Sequence, residues 1–571
     1  MSAQTGSMPP PAPMSTRFVD RARFRVDLWR EAPNPLWIRE LRQSTRLART
    51  PIFLMLLAIG MTLLIAVVGG LVATWESPAT TGVVIFQTFF SLAYFLVTLI
   101  GPAVAANSIA SEREGRTWEA VLLTGLPPGV IARGKFLSAF TAIAMYIVML
   151  APVGALPFLF GGVTATEVVV AFAGLFLLAL LSIAFGLAMS SLMSSMRAAI
   201  VVTLLLAVPL STGAFLAFGV FLSMGAHLLW PGVAEGPPIW LPTAYERAPF
   251  DLSYVVFLVV LPVLSIALPA WFLYEVTVAN LTSITDDRSS GLKRWFLVAS
   301  PALTVAAAVP VFAVSASDRS GAAIVGAGAL LAFFSFCVFL FAGDPIGPSR
   351  RVLMQWDRDR AGRFRRFLGP GVMRSASLLL AAGGLGLGLV TAVGLERAAA
   401  ASGVTGNDVA NVACFGGYAL TFYVFLVGLG AFLRSRAATA ISARVLLFAI
   451  LFAVSVGPWI VAAIAGLVAE HHTRDALIVG APSPFYVFVM FDAFSRGEHL
   501  PVIVGMITAA AYALIGLVLL AAAGSRCREI IRKHEETLAE TDRILAAEDA
   551  AAVAARVQGE AGAAAVPGVA G

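Results

Sequence analysis

The sequence predicts an all-α polytopic membrane protein with about twelve transmembrane helices. Three observations carry this. Hydrophobic residues make up 59% of the chain and charged residues only 13%, with a mean hydropathy of +0.88. Soluble domains run near 45–50% apolar and about 25% charged. Twelve apolar runs reach the roughly 20 residues a helix needs to cross hydrocarbon. And the basic residues are distributed one-sidedly over the segments that join those runs.

The runs fall at 51–73, 82–106, 136–160, 167–190, 198–222 and 252–276, then 295–315, 322–342, 373–395, 409–433, 444–468 and 500–524. With the N-terminus inside, about 34 Lys and Arg fall in cytoplasmic segments, as the positive-inside rule demands. The outside segments keep Arg247, Arg319, Arg397, Arg474 and Arg496. A span missed mid-chain would reverse every later loop and erase this bias. Both termini are therefore expected in the cytoplasm, in a multi-pass topology in the plasma (inner) membrane. The net charge of +6 follows membrane orientation and does not call for a nucleic-acid partner.

The two groups of six share one orientation, so they read as parallel repeats. Each has a long loop after its second span, 107–135 and 343–372. Each has a short basic turn after its fourth, around Arg197 and at 434–444. Each has an aromatic-rich outside segment before its last span: 223–250, with Trp230, Trp240 and Tyr245, and 482–495, with Phe485, Tyr486 and Phe488. The expected domains are a basic N-terminal segment (1–33), an interfacial helix (34–50), a first six-span half (51–276), a second, divergent half (277–524), and a helical then disordered tail (525–571).

Residues 1–50 hold no apolar stretch of signal-peptide length, so no cleavable signal is expected. RFVDRARFRVDLWR, 17–30, is basic with interleaved aromatics and suits a membrane surface. A helix follows from Asn34 as N-cap with Pro35 at its first position. Over 34–49 Trp37, Leu41, Thr45 and Ala48 share one face, and Arg39, Arg42, Arg46 and Arg49 lie largely off it, as in an interfacial helix.

The first long loop reads NSIASEREGRTWEAVLLTGLPPGVIARGK, Asn107 to Lys135. Its polarity excludes it from hydrocarbon. Ile109, Trp118, Val121 and Leu122 recur near helical spacing, which predicts a short amphipathic helix ending at Pro127–Pro128. After Gly524 a charged helical segment, RCREIIRKHEETLAETDRILAAEDAAA, is expected to end in disorder.

Several chemistries are weighed and set aside. Gly129 to Lys135 matches G-x-x-x-x-G-K, but Phe136 stands where a phosphate loop needs Ser or Thr for Mg²⁺, and no strand precedes it. No acid, base or histidine sits near the middle of a predicted span, against ion coupling and against membrane-embedded catalysis. His471, His472 and Asp475 lack a third spaced ligand for a metal. Cys337, Cys414 and Cys527 read as packing residues. Gly384-x-x-x-Gly388 permits close helix packing.

Two motifs carry a family resemblance. Glu112-x-Glu114, Thr117-x-Glu119, Leu122–Leu123–Thr124 and Gly134–Lys135 resemble the loop between spans 2 and 3 of type-2 ABC-exporter permeases. Asn34–Pro35 with Arg39–Glu40–Leu41 resembles the entry to that family's interfacial elbow helix. The resemblance covers roughly 34–276 and fits more loosely to about 524. It implies a permease subunit of an ATP-driven exporter, and the scarcity of charge within the spans suits a lipid-like, drug-like or otherwise amphipathic substrate. It also implies short re-entrant helices between the fifth and sixth spans. Glu112, Arg113, Glu114, Thr117, Glu119, Leu122, Leu123, Gly134 and Lys135 would form the coupling element. The partner would be a separate ABC ATPase that binds ATP and Mg²⁺, so this chain would be no enzyme and carry no cofactor; a second permease chain is a further candidate partner. The alternative is a twelve-span secondary transporter, because Asp357 to Arg366, DRDRAGRFRR, resembles a loop motif of major facilitators.

Overall fold

The computed structural model describes residues 34–45, 49–230, 241–400, 406–468 and 475–564. Secondary structure among them is helical, without strands, and twelve helices are long and apolar enough to cross a membrane. The chain divides into two units, Met1–Ser283 and Ile284–Gly571. Each holds six of those helices.

The first unit runs α1 Pro35–Thr45, α2 Arg49–Ala73, α3 Pro78–Glu114, α4 Trp118–Leu123, α5 Pro128–Gly154, α6 Leu156–Phe160, α7 Ala165–Leu192, α8 Met196–Leu229 and α9 Leu241–Arg247. It ends in α10, Leu252–Leu281. Starts follow local chemistry. Ser77 accepts from the Thr80 N–H ahead of Pro78, and Thr164 and Glu167 close a capping box on α7. The centre is α7, packed against α3 and α10. A Cβ on Gly186 would lie 2.2 Å from the Pro102 carbonyl oxygen, so glycine sets how closely α3 and α7 cross. At their lower crossing Ser190 Oγ accepts from the Ile109 and Ala110 N–H groups.

The second unit runs α11 Ser290–Ala313, α12 Arg319–Phe341, α13 Arg350–Arg358, α14 Arg363–Leu368, α15 Val372–Ala399, α16 Gly406–Arg436, α17 Ala440–Val468, α18 Asp475–Ile478, α19 Val487–Arg496 and α20 His499–Ala564. Its centre is again the fourth span, α16, packed against α20, α15 and α12. On α15 the glycines that meet neighbours are Gly383, against the Tyr423 ring, Gly386, against Thr304 and Phe334, and Gly394, against Ala323 and Val412. Gly384 and Gly388, the pair the sequence singles out, have nothing within 4 Å of an added Cβ.

Three loop expectations change. The 107–135 loop is shorter, because α3 stays helical to Glu114 and α5 begins at Pro128. Ile109 therefore belongs to the span and not to the amphipathic helix, which is confined to α4. The tail is no separate short helix: α20 continues unbroken from the last span to Ala564. The basic 17–30 segment and the His471–His472 pair lie outside the described residues.

Each unit folds short helical segments between its fifth and sixth spans. In the first, Tyr245 of α9 donates to the Leu258 carbonyl, which lies in a π-helical stretch, Val255–Val260. Burial, with Tyr254 beside it, pushes the Tyr245 hydroxyl up to about 12. In the second unit Ser483 is the hub: its hydroxyl donates to the Ser455 carbonyl at 2.7 Å and accepts from Trp459 Nε1 at 2.9 Å. Tyr418 and Tyr512 donate to the Ser483 and Pro482 carbonyls. Tyr512 stands about 20 Å along α20 from His499 at 1.5 Å per residue. The hub thus stands well along α20, and its irregular backbone is held by bonds to α16, α17 and α20.

Candidate functional site

The α1 side of the first unit gathers four ionisable groups from three helices. Asn34 caps α1, its Oδ1 accepting from the Leu36 N–H at 3.0 Å, while its Nδ2 donates to the Val130 carbonyl of α5 at 2.8 Å. Gly134 is the seat of this contact: a Cβ there would lie 2.7 Å from Asn34 Oδ1 and 2.9 Å from Leu36 Cβ. Leu36 is therefore buried, while Trp37 reaches Thr141 with its Nε1 at 3.2 Å. Trp37 and Leu41 are half-buried. With α1 seated, Lys135 is 1% exposed and its Nζ meets Glu40 at 3.0 Å and Glu112 at 3.1 Å. It also donates to the Ser108 carbonyl at 3.0 Å. Its contact with Glu112 Oε2 lacks hydrogen-bond geometry and is a charge attraction. Arg39, half exposed, closes the cluster from outside at 2.7 Å from Glu112 and 3.8 Å from Glu40. Two carboxylates and two cations thus balance in a site drier towards Lys135.

The next two residues tie down a different pair of helices. Arg113 donates to the Ser191 and Met193 carbonyls at 2.8 and 3.2 Å, at the C-terminal end of α7. Glu114 accepts from the Met196 N–H at 2.7 Å, at the start of α8. Each charge complements the helix end it meets. The guanidinium also lies over Trp118, 5.7 Å from the ring centroid. Arg116 turns the chain with φ 55, and the Thr117 N–H returns to the Glu112 carbonyl at 2.9 Å. Val121 is then the buried face of α4. Thr117, Glu119, Leu122 and Leu123 face out, Leu123 at 87% exposure.

The predicted coupling residues thus separate into two groups. Glu112, Arg113, Glu114, Gly134 and Lys135, with Asn34, Arg39 and Glu40, hold helices together, while Pro35 is exposed at the start of α1. Thr117, Glu119, Leu122 and Leu123 form one exposed ridge. The G-x-x-x-x-G-K stretch lies within α5, and its lysine is the buried cation of the cluster.

The second unit has a matching junction that sequence reasoning missed. Lys293 in the first turn of α11 is 0% exposed and meets Asp344 at 3.0 Å, just past the end of α12. Its Nζ also donates to the Gly369 carbonyl at 2.7 Å. Ser289 and Ser375 donate to the Asp344 carboxylate. Arg434 donates to the Asp344 carbonyl at 2.8 Å, and Arg444 to the Phe339 and Leu340 carbonyls. As in the first unit, arginines join the end of the second span to the turn between the fourth and fifth. A signal was available in composition. The chain's lysines are Lys135, Lys293 and Lys533 among 39 basic residues, and the first two are the buried ones. Arginine serves almost everywhere else.

Residues 79–241 match the family described as ABC-2 family transporter protein. Over those residues the chain is similar to ABC-2 family transporter proteins. The matched stretch contains α3, α4, α5, α7 and α8, hence the whole exposed ridge and most of its mount. It favours this family over the facilitator alternative. No curated protein matches the chain. Charge pairs and caps join the residues around this ridge to α1, α3, α5, α7 and α8. Among the described residues no three His, Cys, Asp or Glu side chains group as metal ligands.

Proposed function

We propose that this permease is the membrane subunit of an ATP-driven exporter, and that a separate ATPase subunit docks on the exposed ridge of α4. ATP and Mg²⁺ bind to that subunit, and hydrolysis takes place there. The α1 side is the cytoplasmic side, in keeping with the arginine bias. The observation that carries the reading is the pairing of an exposed apolar ridge, Leu122 and Leu123 with Glu119, with a mount whose other residues are all engaged. A 6-residue helix with leucine at 87% exposure gains by burying that surface in a partner. Few charges lie within the spans, so the cargo is lipid-like, drug-like or otherwise amphipathic. One such chain supplies both halves, or two chains assemble.

The test reconstitutes the permease in liposomes with its ATPase subunit. Leu123→Asp should remove the stimulation of ATP hydrolysis, by tenfold or more, with an unchanged melting temperature because the side chain is exposed. Full stimulation in this variant would place the docking site elsewhere. Transport driven by a proton or sodium gradient without nucleotide would overturn the ATP-driven reading itself.

A further inference from the structure

The second unit carries on its α1-like side a surface of a different kind. Between α12 and α15 the chain forms α13 and α14, and the first-unit ridge of one glutamate and two leucines is replaced by arginines and aromatics. Arg350 pairs with Asp542, Arg351 with Asp286, Arg365 with Asp359 and Arg366 with Asp357. Arg374 lies over Trp356. That leaves Arg358, Arg360 and Arg363 exposed, with no ion pair or hydrogen bond from their guanidinium groups among the described residues. Beside them Phe364 is 67% and Phe367 39% exposed.

The depth of this surface is fixed by its bonds. Arg374, in the first turn of the spanning helix α15, donates to the Arg366 carbonyl at 2.8 Å. Lys293, in the first turn of the spanning helix α11, donates to the Gly369 carbonyl just past α14. Leu368 and Trp356 are buried against these helix ends. So α14 lies level with the first turns of two membrane spans, where headgroups meet the acyl chains. At that level an exposed phenylalanine faces apolar surroundings and an unpaired guanidinium faces phosphate.

We propose that α14 and the turn before it bind the anionic headgroups of the adjacent leaflet: Arg358, Arg360 and Arg363 hold lipid phosphates while Phe364 and Phe367 enter the acyl boundary. Charge complementarity selects this occupant. The free charges are all positive, opposite to the Glu119 ridge, so one ATPase groove cannot serve both surfaces. The proposal is independent of the ATP-driven reading.

The experiment uses full-length permease in mild detergent with an equimolar mixture of phosphatidylglycerol and phosphatidylcholine, and counts retained lipid by mass spectrometry. An arginine near an anionic surface contributes roughly fivefold to binding. Arg358→Gln/Arg360→Gln/Arg363→Gln should lower phosphatidylglycerol enrichment about tenfold or more, and Phe364→Ser/Phe367→Ser should lower retention of both lipids at this site. Removing the same charge from the tail, Arg526→Gln/Arg528→Gln/Arg532→Gln, should change enrichment by less than twofold. Equal loss from both arginine sets would reduce the effect to bulk charge and overturn the proposal. So would wild-type enrichment in the triple loop variant, or displacement of the lipid when the ATPase subunit is added.

Discussion

Replacing Lys135 by methionine separates a clamp from a contact surface. Lysine here is 1% exposed and within 3.0 and 3.1 Å of two carboxylates. Methionine keeps the length of the side chain and deletes the charge, so Glu40 and Glu112 lose their buried cation. Removing one partner of a buried ion pair costs about 3–5 kcal/mol. Arg39 remains 2.7 Å from Glu112 and 3.8 Å from Glu40, which places the cost at the lower end, about 3 kcal/mol. At about 2 °C or somewhat less per kcal/mol for a unit of this size, the apparent melting temperature in mild detergent should fall by roughly 5 °C. Adding Glu112→Gln should recover part of that loss, because the second substitution removes the charge the first left uncompensated. An unchanged melting temperature in Lys135→Met, together with lost ATPase stimulation, would refute the clamp and return Lys135 to the docking surface.

Two further outcomes follow from the same geometry. Gly134→Ala should displace α1, since its Cβ would lie 2.7 Å from Asn34 Oδ1; overpacking of this kind costs about 1–3 kcal/mol, and cysteine labelling along α1 should show increased reactivity at Leu36. Lys293→Met should destabilise more than Lys135→Met, by about 4–5 kcal/mol, because Lys293 is the one cation within ion-pair distance of Asp344 among the described residues; a smaller melting shift than that of Lys135→Met would show the Ser289 and Ser375 hydroxyls to be sufficient for the carboxylate.

The sequence by itself determined the class and the number of candidate spans. Those follow from apolar run length and arginine placement, which are local and additive properties. It also located Asn34–Pro35 at the start of α1 and the amphipathic stretch at Trp118–Leu123, because capping and helical periodicity operate within a few residues. Tertiary structure alone decided what the motif residues do. Glu112 and Glu119 look alike in sequence, yet one is enclosed by Lys135 and Arg39 and the other is exposed, since the α1–α5 seat that encloses Glu112 joins positions about a hundred residues apart. The Lys293–Asp344 junction was illegible for the same reason: neither residue stands in a motif, and only the packing of α11, α12 and α15 removes them from water together. Gly384 and Gly388 mark the converse case, where the spacing was right for a packing face but the neighbouring helices lie on the other side of α15, against Gly383 and Gly386.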